Sequence, residues 1–194
     1  MSATDDHQEG ALKRTGSVHH EVLRTGRLRL RWFEPAAEVD QRFVIELVND
    51  PDWIAHIGRR DVSTCQQAET FLRDGPRAMY ERLGFGLYMV ERLADGLPIG
   101  MCGLLRRDVL QDVDLGFAFL PLARGQGLAR EAAEAVLVWA QSQLKLPRIV
   151  AIVAPANLAS IGLLRRLGFA DEGEIRMPPH DELLRLMARS FAVD

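Results

Sequence analysis

The chain has 194 residues, 47% of them apolar, and a formal net charge of −3, which suits one α/β domain with a sizeable core and a short tail. With no basic surplus, general electrostatic binding to nucleic acid or anionic lipid has no support, and neither is expected as a partner. Cys65 and Cys102 stand far apart and outside any CxxC or Cys/His pattern. A disulfide framework and a zinc site are therefore not supported, and no metal is expected. The first residues, MSATDDHQEG, are acidic and polar rather than signal-like, and no segment is long and apolar enough to span a bilayer. The expected location is cytoplasmic.

Residues 1–22 are polar and non-periodic and read as a disordered tail, leaving 23–194 as the domain. His19 and His20 beside Glu21 read as part of that solvated tail rather than as a metal site. Strict alternation over Arg27–Phe33 predicts a strand with one buried face, ended by Pro35. Val39, Phe43, Val44, Leu47 and Val48 fall at helical spacing between Ala36 and Val48, and Asn49-Asp50-Pro51 then breaks the chain. Ser63 or Thr64 can cap a helix running from Gln66 to Asp74-Gly75-Pro76, with a further turn or two over Ala78–Leu83.

Three strands follow at Phe85–Arg92, Pro98–Arg106 and Asp112–Leu120, the first two joined by a hairpin at Ala94-Asp95-Gly96. The apolar run that ends the third predicts a strand buried on both faces near the sheet centre. Cys102, in an apolar stretch, reads as a buried and inert thiol. Ala129–Leu144 predicts a helix, Arg148–Ala154 a buried strand, and Leu158–Leu167 a helix closed by Gly168. Leu183–Phe191 is the last strand predicted. The order of elements defines one α+β domain.

The informative segment is Pro121-Leu122-Ala123-Arg124-Gly125-Gln126-Gly127-Leu128-Ala129, between the central strand and the long helix. Its glycines let backbone approach a ligand closely, and the first amides of the helix have no intrahelical partner. Helix dipole and free N–H groups together favour an anion such as a pyrophosphate. Such a turn also serves as a plain β-α connection. No Gly-Lys-Ser/Thr follows, and the segment lies late in the chain behind an antiparallel meander, so neither a nucleotide P-loop nor a dinucleotide fold fits.

Arg124-x-x-Gly127-x-Ala129 resembles the coenzyme A signature of GNAT acetyltransferases. Asp114-Leu115-Gly116-Phe117 before it and Arg130-Glu131-Ala132 after it are similar to that family's central strand and helix. Asn157-Leu-Ala-Ser160 followed by Leu167-Gly168-Phe169 matches its second block in order and separation. The resemblance covers essentially everything after the tail and is closest to the ribosomal-protein N-acetyltransferase-like branch. It implies a mixed, mostly antiparallel sheet flanked by helices, splayed between the central strand (about 112–120) and the strand at about 148–154. It also implies acetyl-CoA as co-substrate, and as acceptor a small-molecule amine or a protein N-terminus. The expected assembly is a monomer or homodimer.

On that resemblance, backbone groups near Phe119 and Leu120 bind the pantetheine arm and polarise the thioester. Amides of Gly125, Gln126, Gly127, Leu128 and Ala129 take the pyrophosphate with Arg124 beside it, and Asn157 and Ser160 contact the arm and sulfur. Asp114 occupies the position of a proton acceptor in some relatives, with Asp112 a weaker alternative beside the acceptor. Many members carry a tyrosine seven residues after the Asn; here that position is Leu164, and the only tyrosines are Tyr80 and Tyr88. Ser160 or water then inherits the protonation of the thiolate, and a non-catalytic acyl-CoA-binding module is the alternative reading. Arg59 and Arg60 are candidates to bind a substrate carboxylate, and Phe117 to line the acceptor pocket. Lone His56 reads as a surface or packing residue.

Overall fold

The computed structural model describes residues 20–178 and 181–191. Eight strands form one sheet in the order β1-β2-β3-β4-β5-β6-β8-β7. They are β1 (Glu21–Arg24), β2 (Leu28–Arg31), β3 (Leu87–Arg92), β4 (Pro98–Leu105), β5 (Asp114–Phe119), β6 (Arg148–Val153), β7 (Ala170–Met177) and β8 (Glu182–Ser190). Every neighbouring pair is antiparallel except β5 and β6. The helices are α1 (Glu38–Val48), α2 (Pro51–His56), α3 (Cys65–Leu72), α4 (Ala78–Leu83), α5 (Leu128–Ser142) and α6 (Leu158–Arg166). The mixed sheet flanked by helices is the α+β arrangement expected.

Side-chain alternation along the strands sends residues to two layers. Leu28, Leu30, Val113, Leu115 and Phe119 pack with Ala132, Ala133, Val136, Leu137 and Ala140 of α5. Met89, Met101 and Leu120 pack on the opposite face with Phe43, Val44, Leu47, Ala68 and Leu72 of α1 and α3. The central strand is thus covered on both faces, as its apolar run requires.

Four local expectations change. Residues 1–19, His19 among them, lie outside the described residues, but Glu21–Arg24, part of which the sequence assigned to the tail, pairs with β2 as an edge strand. His20 lies against the Trp32 ring, with centroids 4.2 Å apart. The expected break at Asp50-Pro51 is the start of a helix: Asp50 accepts from the N–H groups of Asp52 and Trp53, and Pro51 sits at N1. Asp74-Gly75-Pro76 does not stop the chain, because a π-helical turn over Arg73–Arg77 absorbs Pro76 and leads straight into α4. β7 carried no signal, since its sequence is polar and its side chains are nearly all exposed.

β2 also buries both faces instead of one. Arg31 is 1% exposed, and its guanidinium donates to both Asp40 oxygens at 2.8 Å and to Glu91 Oε1 at 2.6 Å. Asp40 also accepts from the Glu34 N–H at 2.8 Å, so this network ties β2, β3 and the start of α1 together. A charge so deep persists only because its partners are equally deep. Replacing Arg31 strands the buried Asp40 carboxylate and leaves Glu91 with Arg29 alone. Arg31→Met is expected to lower the unfolding free energy by about 3–5 kcal/mol at pH 7. Urea titrations at pH 7 check this; a loss under about 1 kcal/mol would contradict it.

Candidate active site

The site begins where the ladder between β5 and β6 stops. These strands share a single register pair, Asp114↔Val150, with the Val150 N–H donating to Val113 O at 2.9 Å. β5 is held by six pairs to β4, and β6 by six to β8, so past Asp114 each strand follows its own antiparallel neighbour. The Leu120 N–H donates to Ile99 O at 2.9 Å. By strand parity, Gly116 and Ala118 also pair with β4, while the backbone groups of Phe117 and Phe119 point toward β6. Phe119 O accepts from Arg124 Nε at 2.9 Å. Leu120 differs from expectation: its N–H is spent on the sheet and its side chain is buried away from the opening.

The turn after β5 reaches α5 through Gly125 and Gly127, both left-handed with φ of 73° and 74°. Gly127 is the N-cap of α5 with no side-chain cap, and the first amide to close an α-helical bond is that of Glu131, onto Gly127 O. The N–H groups of Leu128, Ala129 and Arg130 are therefore the free amides of a 15-residue helix. Glu131 anchors this end to the β1–β2 turn, accepting from Thr25 Oγ1 at 2.5 Å and Arg27 Nε at 2.6 Å. A cavity of about 620 Å³ opens onto Gly125, Gly127, Leu128 and Ala129, with Asn157, Ser160 and Arg166 across it. Gln126 is outside it; its side chain donates to Leu122 O and its own carbonyl accepts from Arg27. Arg124 borders the cavity, but its guanidinium is engaged with Asp50 and Asp52, both at 2.5 Å. It lies beside the cradle, and it also clamps the start of α2 to the turn.

A second cavity of about 600 Å³ lies on the α1–α3 face of β5. Arg59, Arg60, Asp114 and Phe117 border it, as do Arg107 and Glu182. The two cavities share Trp53, His56 and Ile57 at the end of α2, Phe117 and Ala118 from β5, and Asn157 and Ser160 at the start of α6. Asn157 caps α6 by accepting the Ser160 N–H at 3.0 Å. Sequence reasoning had set His56 aside as packing and had not singled out Arg107. Pro51 at a helix N1 position was the signal that could have placed Trp53 and His56 on a helix facing the site.

Asp114 is 1% exposed, with Oδ2 accepting from Arg107 Nε at 2.6 Å and Oδ1 without a partner among the described residues. Burial pushes its carboxyl up to about 6, against the downward pull of the Arg107 charge. Keeping it ionised at neutral pH costs about 3 kcal/mol of folding stability, a tension typical of groups kept for chemistry. Asp112 lines neither cavity. It precedes β5, and Arg148 Nε holds it at 3.0 Å outside both cavities. Leu164 borders the second cavity, whereas Tyr80 and Tyr88 are buried in the core, Tyr80 donating to Leu87 O. Cys102 is fully buried, its thiol pushed up to about 12 by burial, and Cys65 is exposed away from both cavities. Among the described residues no group of His, Cys, Asp and Glu could hold a metal ion, and no helix is long and apolar enough to cross a membrane.

A glycine-rich helix start with free amides thus lies beside a parting of two parallel strands. Residues 27–170 match the family description "Acetyltransferase (GNAT) domain". The chain belongs to the GNAT acetyltransferase family and is an acyltransferase by class. It is 35% identical over 98 residues to the probable N-acetyltransferase YjcK of Bacillus subtilis, covering 50% of this chain and 52% of the relative. Among solved structures it is similar to a putative GNAT-family acetyltransferase from Bordetella pertussis, at 28% identity and TM-score 0.70, covering 88% and 100% of the two chains. The ribosomal-protein-S5-alanine acetyltransferase of Vibrio fischeri shares the fold, with TM-score 0.71, 18% identity and coverage of 87% and 95%.

Gly127→Val places a β-branched residue at left-handed φ, which costs on the order of 1–2 kcal/mol, and puts its side chain at the cradle. Gly96→Val imposes the same strain in the β3–β4 turn, outside both cavities. Both variants should melt earlier, but only Gly127→Val should lose the thermal stabilisation by acetyl-CoA. Equal stabilisation of the two would mean that the cradle does not bind the coenzyme.

Proposed function

We propose that the protein transfers the acetyl group of acetyl-CoA directly to a primary amine, a protein N-terminus or a small-molecule amine, within a ternary complex. The observation that carries this reading is the pair of cavities meeting between β5 and α6, one against the anion cradle and the other against a buried carboxylate. Coenzyme and acceptor can then approach from opposite sides of one narrow junction, which replaces a bimolecular encounter by a fixed alignment.

In this reading the free amides at the start of α5 take the pyrophosphate, with Arg130 and Arg166 supplying charge beside them. Backbone N–H groups of Phe117 and Phe119 meet the pantetheine arm and the thioester oxygen, which gains charge as the amine attacks. The Asn157 amide nitrogen, left free by its capping oxygen, contacts the arm, and the Ser160 hydroxyl lies near the sulfur. Asp114 removes the proton that an ammonium must lose before its lone pair can attack. Arg59 and Arg60, exposed and without carboxylate partners among the described residues, hold an anionic group on the acceptor, and Phe117 packs against its apolar part. Neither cysteine suits an acetyl-enzyme, because one is locked in the core and the other is remote.

Thiol release from acetyl-CoA in the presence of an amine panel tests the reading; binding without release by any amine would favour a non-catalytic acyl-CoA-binding module. Initial rates should give intersecting double-reciprocal plots, and intact-mass spectra should show no acetyl adduct. An adduct formed without acceptor and discharged by an amine would replace direct transfer by a covalent route. The carboxyl at about 6 sets the pH dependence. Below that value Asp114 is protonated and idle, so kcat/KM should climb as pH rises through about 6. Asp114→Asn should lose that limb, with the largest deficit near neutrality and a smaller one at alkaline pH, where the amine deprotonates unaided. A deficit that does not shrink with pH would remove Asp114 as the base.

A further inference from the structure

Acetyl transfer has two protons to move, and Asp114 accounts for only one. An ammonium must first become an amine, and Asp114 lies in the acceptor cavity where that happens. When the amine nitrogen bonds to the thioester carbon it becomes cationic and must shed a second proton. When the carbon–sulfur bond breaks, the departing sulfur must gain one. Both events belong to the junction, and the shared lining contains a single titratable side chain, His56. Its Nδ1 is buried and has no hydrogen-bond partner among the described residues.

We infer that His56 carries the second proton, taking it from the attacking nitrogen as the N–C bond forms and delivering it to the sulfur as the C–S bond breaks. The step is balanced, since the proton lost by nitrogen ends on the thiol and the imidazole is restored. His56 thereby fills the role left open by Leu164, which borders the same cavity with no acidic group. It does so from α2 and not from α6. Ser160, across the junction, has no titration in the useful range and is left to contact the coenzyme.

The charges around His56 are of both signs. In the acceptor cavity Asp114 and Glu182 face Arg59, Arg60 and Arg107. On the coenzyme side Asp52 of its own helix is paired with Arg124, and Arg130 and Arg166 stand farther along α5 and α6.

The inference rests on the acetyl-transfer reading, and the test separates the two. His56→Ala should lower kcat about 100-fold near pH 7, with acetyl-CoA affinity nearly unchanged. Added imidazole should recover kcat in this variant and have no effect on the native protein. His56→Gln, which keeps bulk and polarity but cannot titrate, should be equally slow, and it serves in place of the alanine variant if that chain fails to fold. If both variants turn over within about threefold of native, His56 carries no proton. A slow alanine variant that imidazole does not rescue, with acetyl-CoA binding weakened to match, would reduce His56 to packing. If the native protein releases no thiol with any amine, the acetyl-transfer reading itself fails.

Discussion

The ending of the β5–β6 ladder after one register pair is the constraint on which the rest of the site depends. Two parallel strands in the middle of a sheet would ordinarily continue their bonds for the length of both. Here each is held by a full antiparallel ladder on its outer side, and the twist of those outer partners draws the two apart. The backbone groups of Phe117 and the N–H of Phe119 are left facing an opening between covered layers, where a polar group without a partner is costly. A ligand that presents amide and carbonyl groups at peptide-like spacing satisfies that demand, which is what a pantetheine arm offers.

Around this opening the chain spends its charged residues on position. Glu131 ties the start of α5 to the β1–β2 turn, and Arg124 ties the turn before α5 to Asp50 and Asp52 at the head of α2. The second clamp links the two cavities mechanically, because α2 carries Trp53 and His56 into the junction. The buried Arg31–Asp40–Glu91 network supports α1 behind it. Exposed pairs such as Arg42–Glu38 contribute little by comparison, screened as they are by water.

Much of this arrangement was legible in the sequence, for reasons that differ by residue. The central strand, α5 and α6 showed because their apolar spacing is strong, and the cradle because Gly125 and Gly127 precede a helix start. Asp114 showed through resemblance, but its depth and unpartnered oxygen come from the approach of β6, more than thirty positions away. Arg124 lies beside the cradle, but its motif position says nothing of its ties to Asp50 and Asp52, some seventy residues earlier. Asp112 could not be told from Asp114 by residue type, and only the start of β5 at Asp114 and the pull of Arg148 separate the two. β7 was silent, as a polar edge strand has no buried face to announce it. His56 was discounted because a single histidine has no pattern, and only the fold brings it beside both cavities.

The central claim is that the opening between β5 and β6 receives the coenzyme arm through β5 backbone groups. Amide hydrogen exchange read by NMR on the protein with and without saturating acetyl-CoA tests this most directly. Exchange at the Phe117 and Phe119 amides should slow markedly on binding, while Gly116 and Ala118, already bonded to β4, should change little. Unaltered exchange at Phe117 and Phe119 with the coenzyme bound would contradict the account.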